Sequence, residues 1–191
     1  MKKNLYSLSV VAVTMLALSG SALAEGTNLD VNFTANIRET TCDMKLVGGT
    51  GSDVQQTLLL GKNGQVRLDD AKAGTANANF KIVIVECPAS LTSLKTTVRG
   101  TPSGYLPSGL VNQILKTSGG ADFSAVEIAR TDTPDAPFII NSKMDEERLV
   151  WTSTEIQNKE VPLVATLRET QTGKMTLGDF QAVATFEFSY E

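Results

Sequence analysis

The sequence predicts an all-β sandwich, and three observations carry that reading. Near both ends of the chain apolar residues alternate with polar ones at period two, the mark of strands half-buried in a sheet. Between those ends, short apolar runs are separated by Gly-, Pro- and Asn-rich turns, with almost no helical periodicity. The 191 residues include two cysteines and no histidine. A hydrophobic fraction of 41% and a charged fraction of 20% supply a core and exclude a disordered polar chain. The length fits a single domain.

Residues 1–24 read as an export signal peptide. Lys2 and Lys3 form a charged start, residues 10–18 an apolar run broken only by Thr14, and Ala22-Leu23-Ala24 a small-x-small cleavage site. The apolar run falls far short of the roughly 20 residues that a spanning helix needs. The formal net charge is −4, and the leader carries lysines but no acid, so its removal leaves a still more acidic chain. That sign argues against a nucleic-acid partner. Export also places Cys42 and Cys87 in an oxidising compartment, where a disulfide between them is the default. In the chain-entropy account such a loop is worth about 4 kcal/mol.

The first strand expected is the alternation of Leu29, Val31, Phe33, Ala35 and Ile37 with Asp30, Asn32, Thr34 and Asn36. Further strands are expected at 57–60, 64–68, 79–87, 93–99, 125–130, 148–152 and 160–169. Turns such as Gly48-Gly49, Gly61-Lys62-Asn63-Gly64 and Gly119-Gly120 separate them. Residues 110–115 are the one stretch that reads as a helical turn. In 79–87, Phe80, Ile82 and Ile84 share one face while Lys81, Val83 and Val85 share the other, so this nearly two-sided apolar strand is expected to be central. In the last strand Phe180, Ala182, Ala184, Phe186, Phe188 and Tyr190 alternate with Gln181, Val183, Thr185, Glu187 and Ser189. Chain ends usually fray. Here the alternation is sharpest near the terminus, so both end strands are expected to be held by something.

Catalytic chemistry finds little support. Without histidine there is no Ser-His-Asp or Cys-His pair, no imidazole acid or base and no His-ligated zinc. The acidic spots Asp69-Asp70 and Asp145-Glu146-Glu147 sit beside basic residues in turn-like sequence and read as surface charge rather than a glycosidase pair. Gly48 to Ser52 has the glycines of a phosphate loop but no lysine, and reads as a hairpin. No cofactor or metal is expected.

The ordered features together resemble the pilins of chaperone–usher fimbriae, most of all the subunits of type 1-like fimbriae. The resemblance is carried by the leader, the alternating segment and Thr41-Cys42. It continues in the run from Phe80 to Cys87-Pro88, in Val161-Pro162-Leu163-Val164-Ala165-Thr166-Leu167, and in an ending with Gly178 fourteenth from the end and Tyr190 penultimate. The resemblance implies an incomplete immunoglobulin-like β-sandwich lacking its last strand, with residues 25–38 as an N-terminal donor-strand extension and 39–191 as the pilin domain. It implies that Leu29, Val31, Phe33, Ala35 and Ile37 enter the groove of a neighbouring subunit, the strand-addition mode for which pilins are a standard example. Many members carry glycine where this chain has Ala35, so the partner's pocket must take a methyl group. It implies further that Phe180, Ala182, Ala184, Phe186, Phe188 and Tyr190 wall this chain's own groove, and that a periplasmic chaperone contacts that strand and the Glu191 carboxylate. The implied partners are other fimbrial subunits, that chaperone and an outer-membrane usher; the implied location is a fimbrium on the cell surface, reached through the periplasm. The competing reading is a secreted carbohydrate-binding or adhesin β-sandwich complete in itself.

Overall fold

Turns cut the chain into short strands in the computed structural model, which describes residues 41–190. In order these are β1 (Asp43–Val47), β2 (Thr50–Gly51), β3 (Gln56–Thr57), helix α1 (Leu68–Ala73), β4 (Asn77–Glu86), β5 (Leu94–Arg99) and β6 (Gly109–Val111). A 3-10 turn at Lys116–Ser118 precedes β7 (Ser124–Arg130), β8 (Leu149–Val150), helix α2 (Ser153–Asn158), β9 (Glu160–Glu169) and β10 (Thr185–Tyr190). The expected donor strand at 29–37, the signal peptide and Glu191 lie outside the described residues.

Two antiparallel sheets make the sandwich. The larger has the order β1-β4-β9-β7-β6 and the smaller β10-β5-β8, while β2 and β3 form a separate hairpin. Register follows the apolar pattern. Phe80 stands opposite Leu163 and Ile82 opposite Val161 across β4 and β9, and Val126 opposite Leu167 across β9 and β7. All six side chains are buried. From the smaller sheet Leu94, Val98 and Leu149 join the same core, and the Phe80 and Phe186 rings meet across the sheets with centroids 5.8 Å apart. The Trp151 indole is also buried, and its N–H donates to the Thr96 hydroxyl at 3.0 Å, which satisfies both polar groups inside the core. β4 lies between β1 and β9, the interior position expected of it.

Cys42 and Cys87 form a disulfide with Cα atoms 4.3 Å apart. The β1–β4 register explains why: Asp43 pairs with Glu86, so in this antiparallel pair Cys42, just before Asp43, faces Cys87, just after Glu86. The bond fastens the start of β1 to the end of β4.

Several local expectations are corrected. Residues 110–115 are not helical, since Leu110 and Val111 belong to β6 and pair with Val126 and Ala125. The run 64–68 is not a strand; it holds one isolated Lys62–Gln65 bridge and then enters α1. The strand expected at 148–152 contracts to Leu149–Val150, and of 57–60 only Thr57 joins a ladder. Helix α1 ends on Gly74 at φ +68°, and a Cβ there would lie 1.7 Å from the Arg168 guanidinium. Helix α2 is started by a reciprocal cap: the Thr152 hydroxyl accepts from the Glu155 N–H, and the Glu155 carboxylate accepts from the Thr152 N–H.

Candidate functional site: the edge of the C-terminal strand

Strand β10 pairs with β5 from Thr185 opposite Arg99 to Tyr190 opposite Leu94. Among the described residues no strand lies on its other edge. Its burial alternates strictly: Phe186, Phe188 and Tyr190 are half-buried, and Thr185, Glu187 and Ser189 are exposed. The alternation continues upstream, with Phe180, Ala182 and Ala184 half-buried and Gln181 and Val183 exposed. All six inward residues pack on the core cluster without being enclosed by it. The strand therefore turns an apolar face to the core that the described residues only half cover.

Residues 58–60 behave in the same way. Leu58 and Leu60 are half-buried against the core and Leu59 is 56% exposed, yet the three have no ladder partner among the described residues. This is strand chemistry without a strand neighbour. The nearby outer edge of β1 is partly capped from within the chain. The Leu46 N–H donates to the Asp53 carbonyl at 2.7 Å, and the Leu46 carbonyl accepts from the Gln56 amide at 2.7 Å. That same amide oxygen accepts from the Gly49 N–H at 2.9 Å, which ties the hairpin down.

Both ends of the C-terminal segment are anchored. At the far end the Tyr190 hydroxyl donates to the Cys42 carbonyl at 3.4 Å, joining β10 to the start of β1 beside the disulfide. Burial pushes the Tyr190 phenol above its ordinary pKa; the bond to Cys42 works the other way and the nearby Asp43 charge adds to the rise. At the near end Gly178 has φ +152°, and a Cβ there would come within 2.5 Å of the backbone of Gly120 and Ala121. Only glycine permits that approach. It allows the parallel bridge between Gly120 and Asp179, in which Asp179 N–H donates to Gly119 and Ala121 N–H donates to Asp179, each at 2.9 Å. On the exposed face of β10, Arg99 on β5 donates to the Glu187 carboxylate, and this bond holds the acid below its usual range.

Several residues of the acidic spots have structural roles. Asp69 and Asp70 lie in the first turn of α1, where a negative charge suits the helix dipole. Asp145 pairs with Arg148 at 2.6 Å and with Lys95 at 3.1 Å. A surface cavity of about 260 Å³ lies between Arg130, Phe138, Asp145 and Arg148. Its arginines are engaged: Arg148 bonds Asp145, and Arg130 grips the Glu155 carboxylate with two bonds of 2.9 and 3.0 Å and donates to the Val150 carbonyl at 2.7 Å. Among the described residues no group of three or more metal-ligating side chains is assembled. Residues 48–52 form the β1–β2 turn and start of the hairpin.

Sequence reasoning missed Gln56 and Asn112, whose amides tie distant backbone segments together. Nothing local marks either one, because the partners of Asn112 lie as far as 69 positions away.

Comparison with known proteins agrees with this architecture. The family model described as "Fimbrial protein" matches residues 31–191. The chain is 29% identical over 186 residues to the fimbrial-like protein YadM of Escherichia coli K12, covering 95% of this chain and 96% of that one. The crystal structure of the P pilus rod subunit PapA superposes over 85% of this chain and 100% of that one, with a TM-score of 0.54 at 16% identity, which establishes a shared immunoglobulin-like pilin fold. The chain belongs to the fimbrial protein family, a family of structural rather than enzymatic proteins.

Proposed function

We propose that this chain is a structural subunit of a chaperone–usher fimbria that polymerises by donor-strand exchange and contributes to adhesion at the bacterial surface. The observation that carries the reading is the half-covered apolar face from Phe180 to Tyr190, flanked by an edge with no strand on it among the described residues. An apolar face and an open row of backbone donors and acceptors are what an added β-strand satisfies together. In this reading Leu29, Val31, Phe33, Ala35 and Ile37 enter the groove of the next subunit, and Phe180, Ala182, Ala184, Phe186, Phe188 and Tyr190 receive the strand of the previous one. A slip of one residue would turn Asp30, Asn32 and Thr34 inward instead, so register is strongly specified. Burial of the larger donor side chains, at about 1.5–3 kcal/mol each, favours a long-lived joint. Before assembly a periplasmic chaperone supplies a temporary strand and contacts the Glu191 carboxylate, and an outer-membrane usher passes subunits to the surface.

The test is a photo-crosslinking residue at Phe33 in fimbriae assembled from the chain. The proposal expects crosslinks to residues 180–190 of a second copy or another subunit. Exclusively intramolecular crosslinks would end the assembly role and favour a sandwich complete in itself.

A further inference from the structure

The C-terminal segment is held in two different ways along its length. From Thr185 onward a regular ladder to β5 sets the register. Upstream, residues 180–184 have no ladder, and one side chain joins the backbone bonds of the 112–121 loop in setting their place. The Asn112 amide nitrogen donates to the carbonyls of Ala121 at 2.9 Å and Asp179 at 2.8 Å. Its oxygen accepts from the N–H of Ile114 at 3.1 Å and of Gln181 at 3.0 Å. A primary amide has two hydrogens to donate and two lone pairs to accept with, so Asn112 is used to capacity. The neighbouring Gln113 N–H donates to the Gln181 carbonyl at 2.7 Å.

These bonds have a direction. In an extended chain the N–H and C=O of one residue point to one edge, and those of its neighbours to the other. Asp179 and Gln181 spend their backbone groups on the 112–121 loop, and the Val183 carbonyl lies 2.8 Å from where a Cβ on Gly100 would be. The backbone groups of Phe180, Ala182 and Ala184 therefore face the opposite edge, in line with the outer edge of β10.

We propose that Asn112 is a positioning residue for strand capture: it replaces a missing ladder and holds residues 179–183 in the register that presents Phe180, Ala182 and Ala184 to an incoming β-strand. This rests on the donor-strand reading above. Without the clamp, an incoming strand would find the β10 half of its template ordered and the upstream half held only by the backbone bonds to Gly119, Ala121 and Gln113.

The test uses the full mature, oxidised chain and a fluorescent synthetic peptide of residues 26–38, with pilin peptides of other sequence alongside. Asn112→Ala and Asn112→Asp are compared with the unsubstituted chain; the aspartate keeps the acceptors but cannot donate to Ala121 and Asp179. Both variants should capture peptide at least about tenfold more slowly, since tenfold is the scale of one hydrogen bond and the alanine removes four while the aspartate removes two. In the captured state, amides at 180–184 should lose hydrogen-exchange protection while those at 186–190 keep it, a split that general destabilisation would not produce. The near-UV signal of Trp151 reports whether each variant folds, and Asn112→Asp decides if the alanine variant does not. Capture at the unsubstituted rate, or protection lost evenly along the strand, would overturn the inference while leaving donor-strand exchange intact. Failure of the unsubstituted chain to capture any peptide would overturn both.

Discussion

The middle of the larger sheet and the C-terminal strand share one sequence pattern and meet different fates. In β4 and β9, alternation places Ile82 and Leu163 at 1% and 0% exposure. In β10 the same alternation, with larger side chains, leaves Phe186, Phe188 and Tyr190 only half-buried. Strand periodicity specifies which face turns inward. It does not specify whether anything covers that face. The difference between the two regions is the difference between a core completed by its own chain and one that the described residues leave half covered.

The largest effect should come from the completed side. Leu163→Ala, measured by denaturant unfolding of the oxidised chain, is expected to cost about 2–5 kcal/mol, because a fully enclosed side chain leaves a cavity when truncated. Phe188→Ala should cost the free chain less, about 1–2 kcal/mol, since water already reaches the ring. The same substitution should severely weaken uptake of a donor peptide. Equal costs at the two positions, with peptide uptake unchanged, would erase the distinction drawn here.

How much of this was legible in the sequence follows the same division. Strands β4, β5, β7 and β9 are legible because each carries an apolar run bounded by turn residues. β1 is not, because only Met44 and Leu46 carry its pattern, and it is the pairing with β4 that makes it a strand. α2 could have been found from Thr152 followed three residues later by Glu155, a start signal that a search tuned to apolar periodicity passes over. Residues 58–60 were expected as a strand and have a strand's burial pattern, but no ladder among the described residues, which sequence alternation cannot foresee. Cysteine count and compartment predict the disulfide; the register of β1 on β4 supplies its geometry.

The disulfide sharpens the comparison at its boundary, where β1 meets the end of β10 through Tyr190 and Cys42. Replacing both cysteines by serine should cost about 2–4 kcal/mol, with the loss read from the unfolding midpoint. Hydrogen exchange should rise first in β1 and at Tyr190, leaving β7 and β9 protected. Uniform loosening of both sheets would show that the bond serves the whole core.

The smallest effect is electrostatic and lies on the surface. Hydrogen bonds from Arg148 and Lys95 lower the pKa of Asp145, and a bond from Arg99 lowers that of Glu187. A bond from the Met175 N–H lowers that of Glu169. Burial raises that of Glu155 but is outweighed by its bonds from Arg130 and Thr152. Groups with depressed folded-state pKa values stabilise the fold above the unfolded values and lose that contribution as pH falls through the folded ones. Melting temperature should therefore decline as pH drops below the ordinary values of 3.8 for aspartate and 4.5 for glutamate. Glu155→Gln should flatten that decline slightly, and an unchanged acid limb would remove the Arg130–Glu155 pair from the account.

The central claim is that the face from Phe180 to Tyr190 awaits a strand. Its most direct measurement is a thermal melt of oxidised residues 39–191 with and without a synthetic peptide of residues 26–38, alongside peptides from other pilins. A ligand that binds only the folded state raises the melting temperature with its concentration. The account predicts a large, slowly developing rise with at least one peptide, and a rise given by the 26–38 peptide should vanish when its Phe33 is changed to aspartate. A domain already stable and indifferent to every peptide would contradict it.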